Sequence, residues 1–224
     1  GMIRPNMATM LAYVATDVTI EAGLLQKMLS RSADLTFNRV TIDGDTSTND
    51  SCMLVATGAK SLQITQADQA LFERFNTALD EIMLALAQAI VRDGEGATKF
   101  VTIAVEQAAS SEEALKAAYA VAHSPLVKTA LFASDPNWGR ILAAVGYAGV
   151  ENLDVDALQI YLGDVCIVAN GGRAESYTEA AGQAVMDEED ILIRIVLNRG
   201  ELSETVWTTD LSKDYVAINA DYRS

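Results

Sequence analysis

The amino-acid sequence predicts an α+β fold in two parts, and three stretches carry that prediction. Residues 66–92 place Leu71, Phe75, Leu79, Ile82, Met83, Leu86 and Ile90 at three- and four-residue steps, the spacing of one apolar helix face. Residues 99–106 then alternate, with Phe100, Thr102 and Ala104 on one face of a strand and Val101, Ile103 and Val105 on the other. Beyond Asn152 the order is strand, strand, helix, strand, strand (157–162, 164–169, 178–186, 191–197 and 201–208), a layout that closes a small α+β domain. The expected division is therefore 1–132 and 133–224. No low-complexity linker separates the parts, so they are expected to pack together.

The other elements follow from local signals. The apolar run Met10–Ala15, reached from a Pro-containing segment without a helix signal, predicts a strand. Asp17–Glu21 predicts a helix entry with a polar cap, and Leu24, Leu25, Met28 and Leu29 share one face of the helix that follows. A short strand over 37–42 and a buried one over 52–57 flank the polar loop DGDTSTND, Asp43 to Asp50. The helix over 66–92 stops at Asp93-Gly94-Glu95-Gly96, where glycine permits a left-handed cap. Ser110–His123 predicts a helix with a serine cap and acids in its first turn. Leu126–Phe132 predicts a strand, ILAAVGYAG after Arg140 a helix, and the final DYVAINADYRS one more strand with a polar tip.

Composition removes several classes of function. Sixteen Lys and Arg stand against 31 Asp and Glu, a formal charge of −15, which repels nucleic acid and anionic membranes. No apolar run reaches the roughly 18 residues that span a bilayer, and no secretory signal is present. Gly1 is not an initiator, so the chain is expected to be a processed product or a fragment. Cys52 and Cys166 lie far apart in apolar surroundings, as expected of buried strand residues in a reduced, cytoplasmic protein rather than of a disulfide or a metal pair. The single histidine, His123, excludes a histidine-rich zinc site. Its place at a helix end suits the helix dipole.

Four places can carry chemistry, each with a plain structural alternative. Thr9, between the GMIRPNMA segment and the first strand, either starts that strand or acts as a nucleophile. Cutting the Ala8–Thr9 bond would give it an α-amino base on the same residue. The loop 43–50 offers Asp43, Asp45, Asn49 and Asp50, but positions six and twelve counted from Asp43 are Thr48 and Leu54, not the Gly and Glu of a calcium loop. That loop is a cleft wall or a self-capped turn. Glu95, pinned between two glycines, faces a site or solvent. Ser134–Arg140 begins a helix whose amides and Arg140 could meet an anion, or is ordinary capping.

GMIRPNMATML, VTIDGDTSTND, DGEGATKF, SDPNWGRILAAVGY and INADYRS are jointly specific, and through them the chain resembles the ornithine acetyltransferase (glutamate N-acetyltransferase) family of arginine biosynthesis. The likeness covers all of this chain but only the C-terminal, β-chain half of the family's precursor. It implies half of an N-terminal-nucleophile-like layered α/β sandwich, here residues 1–132, completed by an upstream half. A smaller α+β domain, residues 133–224, would return a terminal strand to the site.

The resemblance further implies self-cleavage between Ala8 and Thr9, with Thr9 as the catalytic nucleophile. Thr9, Glu95, Asn219 and Ser224 would contact substrate. The implied reaction moves an acetyl group from N-acetyl-L-ornithine to L-glutamate through acetyl-threonine. No metal or resident cofactor is expected, and members with and without acetyl-CoA as a further donor both fit. The oxyanion-binding Thr-Gly segment and a site lysine would belong to the N-terminal α half, the expected partner in a heterotetramer of two α and two β chains. Two alternatives stay open: a non-catalytic isolated half that binds or assembles only, and a self-processing aminopeptidase, whose nucleophile is a serine.

Overall fold

The computed structural model describes residues 2–3, 10–46 and 49–221. Thr9, Ala8 and Ser224 therefore lie outside the described residues. The chain forms two compact units, residues 2–40 with 45–90, and residues 41–44 with the chain from Val91 onward.

In the first unit, β1 (Leu11–Thr16) pairs in parallel with β3 (Ser51–Ala56), and β2 (Thr19–Ile20) with β4 (Gln63–Ile64). Helix α1 (Ala22–Leu35) begins about one helical turn later than expected because Glu21, not Asp17, caps it. The Glu21 carboxylate accepts from the N–H groups of Gly23 and Leu24 at 2.8 and 2.9 Å, and residues 19–20 become strand. The strand expected over 37–42 is instead a 3-10 turn, Phe37–Arg39, with Phe37 fully buried. The Arg39 N–H donates to the Thr36 carbonyl at 2.9 Å, which closes the turn.

Helix α2 (Gln69–Arg92) matches the expected span. Its buried line is Leu79, Met83, Ala87 and Val91 at four-residue steps, while Ile82 and Leu86 of the expected stripe are exposed. Across β1 and β3, Ala12 and Leu54 are buried, whereas Leu11, Tyr13, Met53 and Val55 on the other face are all exposed.

The second unit is a mixed sheet in the order β10-β5-β9-β6-β7-β8. These strands are β5 (Phe100–Ala108), β6 (Gln159–Leu162), β7 (Val165–Ala169), β8 (Gly172–Arg173), β9 (Asp190–Val196) and β10 (Leu202–Thr209). β5 is parallel to β9 and antiparallel to β10; the remaining pairs are antiparallel. Val101, Ile103 and Val105 on β5 are fully buried, as their alternation predicts, together with Ile191, Ile193 and Ile195 of β9. The division expected near residue 132 is displaced to the end of α2. β5, assigned from the sequence to the first part, is a central strand between β9 and β10.

Two further expectations are corrected. Residues 125–132 form helix α4 (Pro125–Phe132), not a strand, because Ser124 caps the Val127 N–H at 3.3 Å and Pro125 occupies the first helical position. The C-terminal stretch is helix α7 (Lys213–Asp221), started by Ser212 accepting from the Tyr215 N–H at 3.1 Å. Helices α3 (Ser111–Ala122), α5 (Trp138–Gly146) and α6 (Glu179–Met186) fall where expected. Ala114, Ala117, Ala118 and Val121 of α3 join the sheet's core. No helix is long and apolar enough to cross a membrane, among the described residues.

Candidate active site

Glu95 sits half-buried on the turn between α2 and β5. That turn is held from beneath by Asp210, 3% exposed, at the end of β10. Asp210 Oδ1 accepts from the N–H groups of Thr98 and Lys99 at 2.8 and 3.0 Å, and Oδ2 from the Thr98 hydroxyl at 2.7 Å. A carboxylate that satisfies consecutive amides fixes their peptide planes. The turn also lies against the first turn of α7. Gly96 has φ +67°, and a Cβ there would stand 2.6 Å from Ser212 Oγ and 2.8 Å from the Tyr215 nitrogen. Glycine is required twice over, by its dihedral and by close approach.

Glu95 and Asn219 are thereby carried on touching elements. Asn219 lies one helical turn beyond Tyr215, and its amide donates to the Tyr215 carbonyl at 2.9 Å. The same tyrosine reaches the start of the polar loop: its hydroxyl donates to Asp43 Oδ2 at 2.9 Å. Thr41 N–H donates to the Trp207 carbonyl at 3.0 Å, and Thr41 Oγ1 lies 3.1 Å from His123 Nε2. His123 does close α3, as its position suggests. Its ring also packs against Gly44, where a Cβ would meet it at 3.4 Å. Segment 41–44, the 93–98 turn and α7 are thus joined by side chains as well as backbone.

Lys128 is the residue that sequence reasoning missed. It is 2% exposed, with Nζ donating to Thr208 Oγ1 at 3.0 Å and to the Thr209 carbonyl. Its own carbonyl accepts from Leu211 N–H at 3.1 Å. Burial pushes its pKa down to about 7, against the pull of Asp210 and Asp43. The available signal was a lone lysine in PLVKTALF; its meaning depended on recognising a helix there.

Other candidates resolve differently. At α5 the cap is Asn137, accepting from the Arg140 N–H at 3.1 Å, and Arg140 Nη1 donates to the Leu126 carbonyl at 2.8 Å and to Thr129 Oγ1 at 3.4 Å. Arg140 therefore ties α5 to α4, which is the capping alternative rather than the anion site. At the far end of the polar loop, Asp50 Oδ1 accepts from the Met10 N–H. Cys52 and Cys166 are free thiols, half-buried on β3 and β7. No cluster suited to a metal ion occurs among the described residues.

Comparison with known proteins gives a consistent result. A protein of Pseudomonas fluorescens (strain Pf0-1), named arginine biosynthesis bifunctional protein ArgJ, is 60% identical over 225 residues, covering 100% of this chain and 56% of that protein. The protein of the same name from Psychrobacter arcticus is also 60% identical, covering 100% of this chain and 55% of its own length. The chain thus spans about half the length of the curated relatives it matches. A crystal structure of arginine biosynthesis bifunctional protein ArgJ from Bacillus halodurans superposes with a TM-score of 0.89 at 38% identity, covering 96% of this chain and 100% of that one. The ArgJ family model matches residues 1–224, and the chain belongs to the ArgJ family, as a part C-terminal within it.

Proposed function

We propose that this chain is the nucleophile-bearing half of an acetyltransferase of arginine biosynthesis. A precursor cuts itself between Ala8 and Thr9, and the freed Thr9 carries acetyl from N-acetyl-L-ornithine to L-glutamate. The observation that carries this reading is the seating of the Glu95 turn on α7. It brings together two elements whose residues, Glu95 and Asn219, were expected to hold substrate although they are far apart in sequence. Ser224 is assigned to the same substrate contact from its position in INADYRS.

The chemistry follows from the residue types. A free α-amino group has a pKa near 8, so at neutral pH a useful fraction can accept the proton of its own hydroxyl. Thr9 Oγ adds to the acetyl carbonyl, ornithine leaves with the proton, and an ester remains on the enzyme. The amine of glutamate then attacks that ester, and Oγ recovers a proton as N-acetylglutamate departs. Glu95 suits an amino group of the substrate, and Asn219 either charged end of an amino acid.

The N-terminal half is the proposed partner, in an assembly of two α and two β chains. The exposed apolar face of Leu11, Tyr13, Met53 and Val55 supports it, because parallel strands are ordinarily covered on both faces. The relatives hold nearly half their length outside the matched region. Acetyl-CoA as a further donor accords with the word bifunctional in the relatives' names.

The test is to produce the chain within its full precursor. Expected are two chains split at Ala8–Thr9, ping-pong transfer of acetyl to glutamate, and loss of both activities in Thr9→Ala. Retained transfer in Thr9→Ala would contradict the proposal. The chain alone is expected to bind amino acids without turnover.

A further inference from the structure

Asp210, which holds the Glu95 turn from beneath, is itself held on both sides by one residue. The peptide plane before it presents the Thr209 carbonyl, which accepts from Lys128 Nζ. The plane after it presents the Leu211 N–H, which donates to the Lys128 carbonyl at 3.1 Å. Side chain and backbone of Lys128 thus fix the two peptides whose rotation would swing the Asp210 carboxylate. Nζ also donates to Thr208 Oγ1 at 3.0 Å, one residue further back along β10. Lys128 is buried, and its amine is desolvated at a cost that an apolar side chain would avoid. Asp210 and Asp43 are the carboxylates that favour its charged form.

The restraint continues from Asp210 to Glu95. The two carboxylate oxygens take three donors from Thr98 and Lys99. Thr209 Oγ1, 2.8 Å from the Lys99 carbonyl, adds a second tie at the same place. Immediately before Thr98, the Ala97 N–H donates to the Gly94 carbonyl at 3.0 Å, which closes a four-residue turn with Glu95 and Gly96 at its centre. We propose that Lys128 is a positioning residue for this turn, acting through Asp210 to fix where Glu95 meets the amino group of the substrate. This role rests on the reading of Glu95 as a substrate contact given above and deepens it. Lys128 and Asp210 reach the substrate only through the backbone that carries Glu95. A contact displaced by about 1 Å can cost roughly a hundredfold in rate, so a partial release of the turn should be measurable.

The test uses the two-chain enzyme. Lys128→Met removes Nζ and leaves the backbone bond to Leu211 in place. At saturating glutamate its KM for N-acetylornithine is expected to rise roughly tenfold, while kcat changes by less than about twofold. In a Glu95→Gln background the same substitution should change KM by less than about twofold, because the contact it acts through is already altered. Thr208→Val, which removes one acceptor of Nζ and leaves both planes around Asp210 held, should keep KM at the parent value.

Peptide-resolved hydrogen exchange reads the turn directly. The Thr98 and Lys99 amides should exchange about tenfold faster in Lys128→Met, with Ile103 of β5 at its parent rate. Lys128→Gln, polar and uncharged, takes the place of the methionine variant throughout if that chain does not fold. No rise in KM, or an equal rise with and without Glu95→Gln, would overturn the proposal. So would unchanged exchange at Thr98 and Lys99, or a KM raised as much by Thr208→Val. If Glu95→Gln alone leaves KM untouched, the substrate reading of Glu95 is at fault instead, and the exchange rates still decide the role of Lys128.

Discussion

Tyr215 donates its hydroxyl hydrogen bond to Asp43 Oδ2 at 2.9 Å, joining residues 172 positions apart. The bond fastens helix α7 to the start of the polar loop, while Gly96 seats the Glu95 turn on the same helix end. Removing the hydroxyl in Tyr215→Phe takes a donor from a carboxylate in a partly buried place. A loss of about 1–2 kcal/mol is expected in urea unfolding. In the assembled enzyme the KM for the amino-acid substrates should rise more than kcat falls, because the change reaches the elements proposed to bind substrate and not the nucleophile.

Gly96→Ala should be the more damaging change. An L side chain is strained at φ +67°, and its Cβ would stand within 3 Å of Ser212, Asp214 and Tyr215. Strain of this kind costs about 1–3 kcal/mol, before counting the displacement of α7. Thermal melting should show the loss of stability. Glutamate saturation should show the displaced site.

Lys128 makes a prediction about pH. Its pKa in the folded chain is about 7, below the ordinary lysine value of 10.5. Between those values the unfolded chain binds the proton more readily than the folded one. This group's contribution to stability therefore rises with pH above about 7, by at most about 1.4 kcal/mol per unit, and is flat below it. Lys128→Met should lose that slope in urea titrations run from pH 6 to pH 10. It should also be less stable at high pH, because the Thr208 hydroxyl and the Thr209 carbonyl lose their donor.

The parts legible from sequence were those in which one period dominates. The alternation of 99–106 and the helical spacing of 66–92 are enforced by the core, and both elements stand where expected. Helix α4 was misread because PLVKTALF is apolar almost throughout, and its helical state depends on the Ser124 cap and Pro125 more than on periodicity. Helix α7 was misread for the opposite reason: none of its residues is buried, so no face marks it. In the site, DGEG was read as the stop of the preceding helix, and its Gly96 also makes the close approach to α7. Asp210 carried no local signal and Lys128 only that of a lone lysine in an apolar run, because their importance comes from donors and acceptors brought from β5, β10 and α4 by the sheet.

The central claim is that Thr9 carries the acetyl group, and mass spectrometry of the two-chain protein tests it most directly. After brief exposure to N-acetylornithine without glutamate, the chain beginning at Thr9 should gain the mass of one acetyl group, on Thr9, and lose it when glutamate is added. An unmodified Thr9 in a preparation that still forms N-acetylglutamate would contradict the account.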